Sequence, residues 1–238
     1  MSTINLLYKT DYPINDYISV VIPTVGEVLE DEDGYYNAVT MFTAAPIDMM
    51  VQLDDAGIDF TKITDYELFL ILFPAIQKDN TSLILGDLDL SGFLFAENPQ
   101  NGQPILVDPD TGIRIDKAIY NKIAVTLRTI HHMKRDNRKP ANEEARKYML
   151  ERARIKMKRK NRASDSELEK LIVDMVNAPE YKYDFEGTKE LTIYQFNESV
   201  RQVIHRVDYN NKMRGIYAGT IDPKGLSRSD LNWLEHTN

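Results

Sequence analysis

Side chains able to do chemistry are few in this chain, and their spacing excludes most reaction types. There are four histidines and no cysteine. His131 and His132 are neighbours, and on a helix neighbours point about 100° apart, so they do not clamp one metal as an i, i+4 pair does. One is expected to flank the core and the other to be solvated. His205 has Asp208 three residues on but no partner nucleophile, and His236 lies near the last residue. The segment GDLDLSG (86–92) lacks the Lys-Ser/Thr that a phosphate loop requires. Asp87, Asp89, Asp108 and Asp110 do not continue into the ligand series of a calcium loop, and turn chemistry explains the last two better. With no metal motif, nucleophile elbow or dinucleotide fingerprint, the expectation is a protein without catalytic activity, cofactor or metal.

Charge is the sharper signal. Residues 1–121 carry 5 Lys and Arg against 20 Asp and Glu. Residues 122–163 carry 15 against 4, and residues 164–238 carry 9 against 13. The net charge of -8 therefore hides a strongly basic insert in an acidic body. Its core is RKYMLERARIKMKRKNR, with Arg146, Arg152, Arg154, Lys156, Lys158, Arg159, Lys160 and Arg162 as the candidate partner-binding residues. Beyond Ala153 these cations surround the helix axis, so that end is expected to project or to lie in an acidic groove. Contact with an acidic protein surface, contact with nucleic-acid phosphates and plain solvation are the three readings. A single aromatic, Tyr148, and an acidic body that repels polyanions weigh against nucleic acid.

The elements that would carry this segment follow from periodicity and caps. Ile18–Ile22, Val25–Leu29 and Tyr35–Phe42 read as extended, with a turn at EDEDG (30–34). Pro46 is placed to open a short helix that stops at Gly57. Thr64 with Glu67 forms a capping box before the apolar run YELFLILFPAI. The segments SLILG, FLFAE, PILVD and GIRID read as short strands, with a hairpin at Pro109–Gly112. Asp116 then starts a long helix with Ile119, Ile123, Leu127 and Ile130 on one face, and Asn142 caps the next. Ser164 with Glu167 opens a further helix, YKYDF (181–185) alternates like a strand, and Thr192 with Gln195 caps a last long helix ending at Gly219.

The predicted fold is mainly α (α+β): a helical body with a small β-element and a protruding basic helical hairpin. Its parts are an acidic α+β region (1–115), the hairpin (116–163) and a C-terminal helical region (164–238) packing on the first. No run approaches the roughly 20 apolar residues of a membrane span, and no secretory signal is visible, so no membrane partner and a cytosolic location are expected.

Three stretches carry a family resemblance: GYYNAVTMFTAAPIDMMVQL (34–53), DYELFLILFPAI (65–76) and YQFNESVRQVIHRVDYNNKMRGIYAGTIDPKGLSRSDLNWL (194–234). Together they resemble the tail-assembly-chaperone and baseplate-hub-assembly proteins of long-tailed bacteriophages. That resemblance implies a non-enzymatic protein in the host cytoplasm or the virion. Its partners would be tape-measure, hub or other tail and baseplate components, or further copies of itself. The basic hairpin has no counterpart in the resemblance. Nucleic-acid binding through residues 122–163 is the alternative.

Overall fold

A computed structural model describes residues 5–77, 80–160 and 166–234. The chain opens with an antiparallel hairpin, β1 (Asp11–Pro13) and β2 (Ser19–Val21), in which Tyr12 opposes Val20. Helices then follow where strands were expected. Thr24 Oγ1 accepts from the Glu27 amide at 3.2 Å while the Glu27 carboxylate accepts from the Thr24 amide at 2.7 Å. This reciprocal cap starts α1 (Val25–Glu30). Asp31 caps α2 (Glu32–Thr43), whose Tyr35, Ala38, Val39 and Phe42 are all buried. Their 3-1-3 spacing is the helical period, which corrects the strand expected at Tyr35–Phe42.

The next helices are α3 (Met50–Asp55), starting four residues after Pro46, and α4 (Asp65–Ile76). The Thr64–Glu67 capping box opens α4 as expected, and Pro74 is carried in its last turn. SLILG is a single helical turn, α5 (Ser82–Leu85), with Ile84 and Leu85 buried, and not a strand. The expected β-element is present as β3 (Leu94–Glu97), β4 (Pro104–Val107) and β5 (Arg114–Ile115). All pairings are antiparallel, with Phe95 opposite Leu106 and Leu106 opposite Ile115.

Asp116 caps α6 (Lys117–Ile130), the central helix of the molecule. Its Tyr120, Ile123, Ala124, Leu127 and Ile130 are at most 1% exposed and pack against α2 and α4. The Tyr120 ring stacks on Phe69 at 4.7 Å, and Phe69 in turn meets Phe42 and Phe73. Tyr66 belongs to the same cluster, and its hydroxyl donates to the carbonyls of Pro104 and Ile115, tying the sheet to the helices.

After α7 (Glu143–Lys160) come α8 (Glu167–Val176), α9 (Phe185–Lys189) and α10 (Ile193–Tyr217). Ser166 caps α8 by accepting from the Glu169 amide at 2.8 Å; the expected cap, Ser164, lies outside the described residues. YKYDF is not a strand: Asp184 caps α9 there, and Tyr181 is buried with its hydroxyl 3.1 Å from Thr188. The Thr192–Gln195 capping box starts α10, and Gly219, at φ +71°, follows its end. Val25 N–H donates to the Leu191 carbonyl and Ile193 N–H to that of Pro23, both at 2.8 Å. This closes the N-terminal part of the chain onto the C-terminal helices. Among the described residues, no helix is long and apolar enough to cross a membrane.

Candidate interaction surface

The two helices grouped by sequence into one protruding hairpin have different places. Helix α6 is core, and α7 lies against α3. The physical reason is that α6 carries a full apolar stripe, whereas α7 carries one strong apolar anchor flanked by cations. Asn142 caps α7 by accepting from the Ala145 amide at 2.8 Å. Arg146, Leu150 and Arg154 then fall on one face at intervals of four residues. Leu150 is 6% exposed and inserts into a second apolar cluster with Leu53, Phe60 and Leu68. On either side of it, Arg146 reaches Asp54 at 3.6 Å and Glu143 at 2.7 Å. Arg154 reaches Asp54 at 2.8 Å and Asp55 at 2.7 Å. Hydrogen bonds that Arg146 donates to Glu143 hold it above the ordinary arginine value, and those that Arg154 donates to Asp55 and Asp54 do the same there. Exposed ion pairs contribute little to stability. Burial of Leu150, at about 2 kcal/mol, dominates the docking, and the pairs set its register.

The acidic groove anticipated for the basic segment is therefore partly internal. Among the candidate residues whose side chains are described, it takes Arg146 and Arg154. The opposite face of α7 is left open: Tyr148 is 60% exposed and Arg152 lies over its ring at 5.7 Å. Ile155 and Lys156 continue this open face, and Met157 and Lys158 are exposed near the end of the helix. The side chains of Arg159 and Lys160, and all of Arg162, lie outside the described residues.

The basic residues of 122–138 are used differently. Arg128 lies 3.3 Å from Asp65 and donates to the Thr43 carbonyl at 2.5 Å, while Arg135 engages both Asp65 oxygens at 2.7 Å. Burial alone pushes the Asp65 carboxyl up, but the hydrogen bonds and charges of Arg135 and Arg128 outweigh it and hold the group below the ordinary carboxylate value. Of the histidine pair, His131 flanks the core as expected and His132 departs from expectation. His131 is enclosed between Tyr35 and Tyr36, 2.9 Å from the Tyr35 hydroxyl, and burial pushes its pKa down to about 4. His132 is not solvated. It takes a left-handed backbone at φ 52° that places its ring 3.4 Å from Glu198 and 3.2 Å from Arg201, on α10. Among the described residues, no group of three His, Asp or Glu is placed to hold a metal. Asp89 and Asp108 serve as turn acceptors, for Ser91 and for Asp110 and Thr111.

The end of α10 and the tail that follows form a local unit. Beyond Val203, α10 leaves the core, and the tail folds back along it through two 3-10 turns (Pro223–Gly225 and Ser229–Leu231). Lys212 bridges Asp208 and Asp230 at 2.5 Å each, and Arg206 sits 4.7 Å over the Trp233 ring. Gly215 lets the tail approach closely, since a Cβ there would stand 2.5 Å from Ile221.

Residues 158–238 match the family described as the YomV second domain. That is a family of phage proteins, and the match covers about a third of the chain, from the end of α7 to the tail. No curated protein and no solved structure matches the chain.

Periodicity reasoning found α7 and its cations but missed its division into two faces. The visible signal was Asp54-Asp55 at the end of α3, a ready partner for Arg146 and Arg154.

Proposed function

We propose that this chain is a non-enzymatic phage tail or baseplate assembly protein that binds other tail components through the open face of α7. One observation carries this reading. Helix α7 is anchored on one side by Leu150, Arg146 and Arg154, so that Tyr148, Arg152, Ile155, Lys156 and Lys158 stand on a held scaffold. A cationic side chain over an aromatic ring, with aliphatic groups beside it, is the composition of a protein-binding surface. The match of residues 158–238 to a phage family supports the setting.

The test is affinity purification of the tagged full chain from phage-producing cells, with and without nuclease. Tail or baseplate proteins are expected to co-purify in both cases and to be lost in the Lys156→Glu/Lys158→Glu variant. Recovery of no phage structural protein would sink the reading. Material released by nuclease, together with a gel shift at about 50 mM salt, would support nucleic-acid binding instead.

A further inference from the structure

Among the described residues, the anchors of α7 end at Arg154. Ile155, Lys156, Met157 and Lys158 are all exposed, and four successive residues cover a full helical turn, so this turn stands clear of the body on every side. Ile155 is 46% and Met157 45% exposed, and both lie outside the two apolar clusters. Residues 152–163 hold seven Lys and Arg and no Asp or Glu. Neither Lys156 nor Lys158 pairs with a carboxylate among the described residues.

The three-stranded sheet has the opposite character. Strand β3 is at its edge, and all four residues of the strand are exposed, Leu94 at 59% and Phe95 at 55%. Residues 80–115 hold five Asp and Glu against one cation, Arg114, which stands on β5 at the far edge. The acids flank β3 at both ends. Glu97 closes the strand opposite Pro104, while Asp108 and Asp110 follow Val107, which opposes Leu94. Asp89 and Asp108 accept turn hydrogen bonds, and none of the five acids forms an ion pair among the described residues.

The two surfaces match in size as well as in sign. Arg152 to Lys158 rises about 9 Å along the helix, and Leu94 to Glu97 spans about 10 Å along the strand. Each offers two exposed apolar side chains with charges beside them. A nucleic acid would take up the cations but would be repelled by the sheet, whose acids it leaves unmet. A second copy of the chain supplies the missing partner of both surfaces, apolar against apolar and cation against carboxylate.

We propose that the projecting basic end of α7 docks on the acidic β3 edge of the sheet in a second copy. This rests on the reading of α7 as a binding surface and names the partner of its last turn. Because the two surfaces differ, the contact is head-to-tail, and each pairing leaves one helix end and one sheet free to add further copies.

The test is sedimentation of the purified, nuclease-treated full chain at about 50 mM and about 500 mM salt. The mass is expected to exceed that of one chain, to rise with protein concentration and to fall at the higher salt. Lys156→Glu/Lys158→Glu and Glu97→Lys/Asp110→Lys should each weaken association about tenfold or more. Melting curves should stay unchanged, because all four side chains are exposed. The chain carrying all four substitutions exchanges the two charges and should associate again, which a folding defect does not produce. A wild type that stays monomeric at about 100 µM would overturn the proposal. So would association that only one of the two paired variants weakens, or a fourfold variant that stays monomeric. No tail protein is in this assay, so its failure leaves co-purification with tail components standing, and self-association without any phage protein recovered sinks only the earlier reading.

Discussion

Asp65 receives Arg135 through both carboxylate oxygens, at 2.7 Å each. Asp65 is the first residue of α4, and Arg135 lies in the segment leaving α6, so this pair fixes where the chain goes after its central helix. Arg128, only 14% exposed, approaches the same carboxylate and caps the end of α2 through the Thr43 carbonyl. Asp65→Ala should therefore cost about 3 kcal/mol, because it strands a nearly buried guanidinium. Arg135→Ala, at a 40% exposed side chain, should cost much less. Urea denaturation of both variants checks the order; equal costs would contradict it.

His131 ties stability to pH. Its pKa is about 4 in the fold against the ordinary 6.5, because burial disfavours the charged ring. The folded state therefore holds it neutral while the unfolded chain takes up a proton below 6.5. Its stabilisation is complete above that pH and declines as the pH falls toward 4, by about 3 kcal/mol in total. His131→Gln, which keeps a polar group beside Tyr35, should flatten that part of the stability curve. A slope identical to wild type between pH 6.5 and 4 would refute this.

The two faces of α7 should respond oppositely to substitution. Leu150→Ala is expected to cost about 2–3 kcal/mol and to speed hydrogen exchange along α7. Lys156→Glu/Lys158→Glu should leave stability within about 0.5 kcal/mol while removing partner binding. If exchange in α7 is already complete within seconds in the wild type, the anchored description fails.

Trp233 is the one tryptophan and reports on the tail. Arg206→Ala removes the cation above its ring and should weaken tail docking by about 0.5 kcal/mol. Increased quenching of its fluorescence by acrylamide is the expected sign, and unchanged quenching is the contrary one.

The long elements were legible because each carries its own start signal and stripe: Thr64–Glu67, Asp116 and Thr192–Gln195 opened helices as expected. Errors fell on short segments, where periodicity has too few residues to decide between 2.0 and 3.6. Val25–Leu29 and Tyr35–Phe42 are rich in β-branched and aromatic residues, yet Thr24 and Asp31 cap them as helices. Caps outweighed propensity there. For the surface, composition located the cations of α7 but not their partners. Pairing of Arg154 with Asp54 and Asp55 joins residues far apart in the chain, and no local pattern encodes it. Ile204 shows a similar limit, since it continues the stripe of Phe196 and Val200 in sequence but rises clear of the core in space.

The hydrogen bonds of Val25 to Leu191 and Ile193 to Pro23 have a bearing on how the protein is made. On the ribosome, α1 emerges long before α9 and α10, so its outer side has nothing to close against until synthesis is well advanced. Helices α2, α4 and α6 can assemble their aromatic cluster on the nascent chain, while the seam between α1 and α10 is sealed last. The segment carrying the phage-family match is thus also the one whose arrival completes the body.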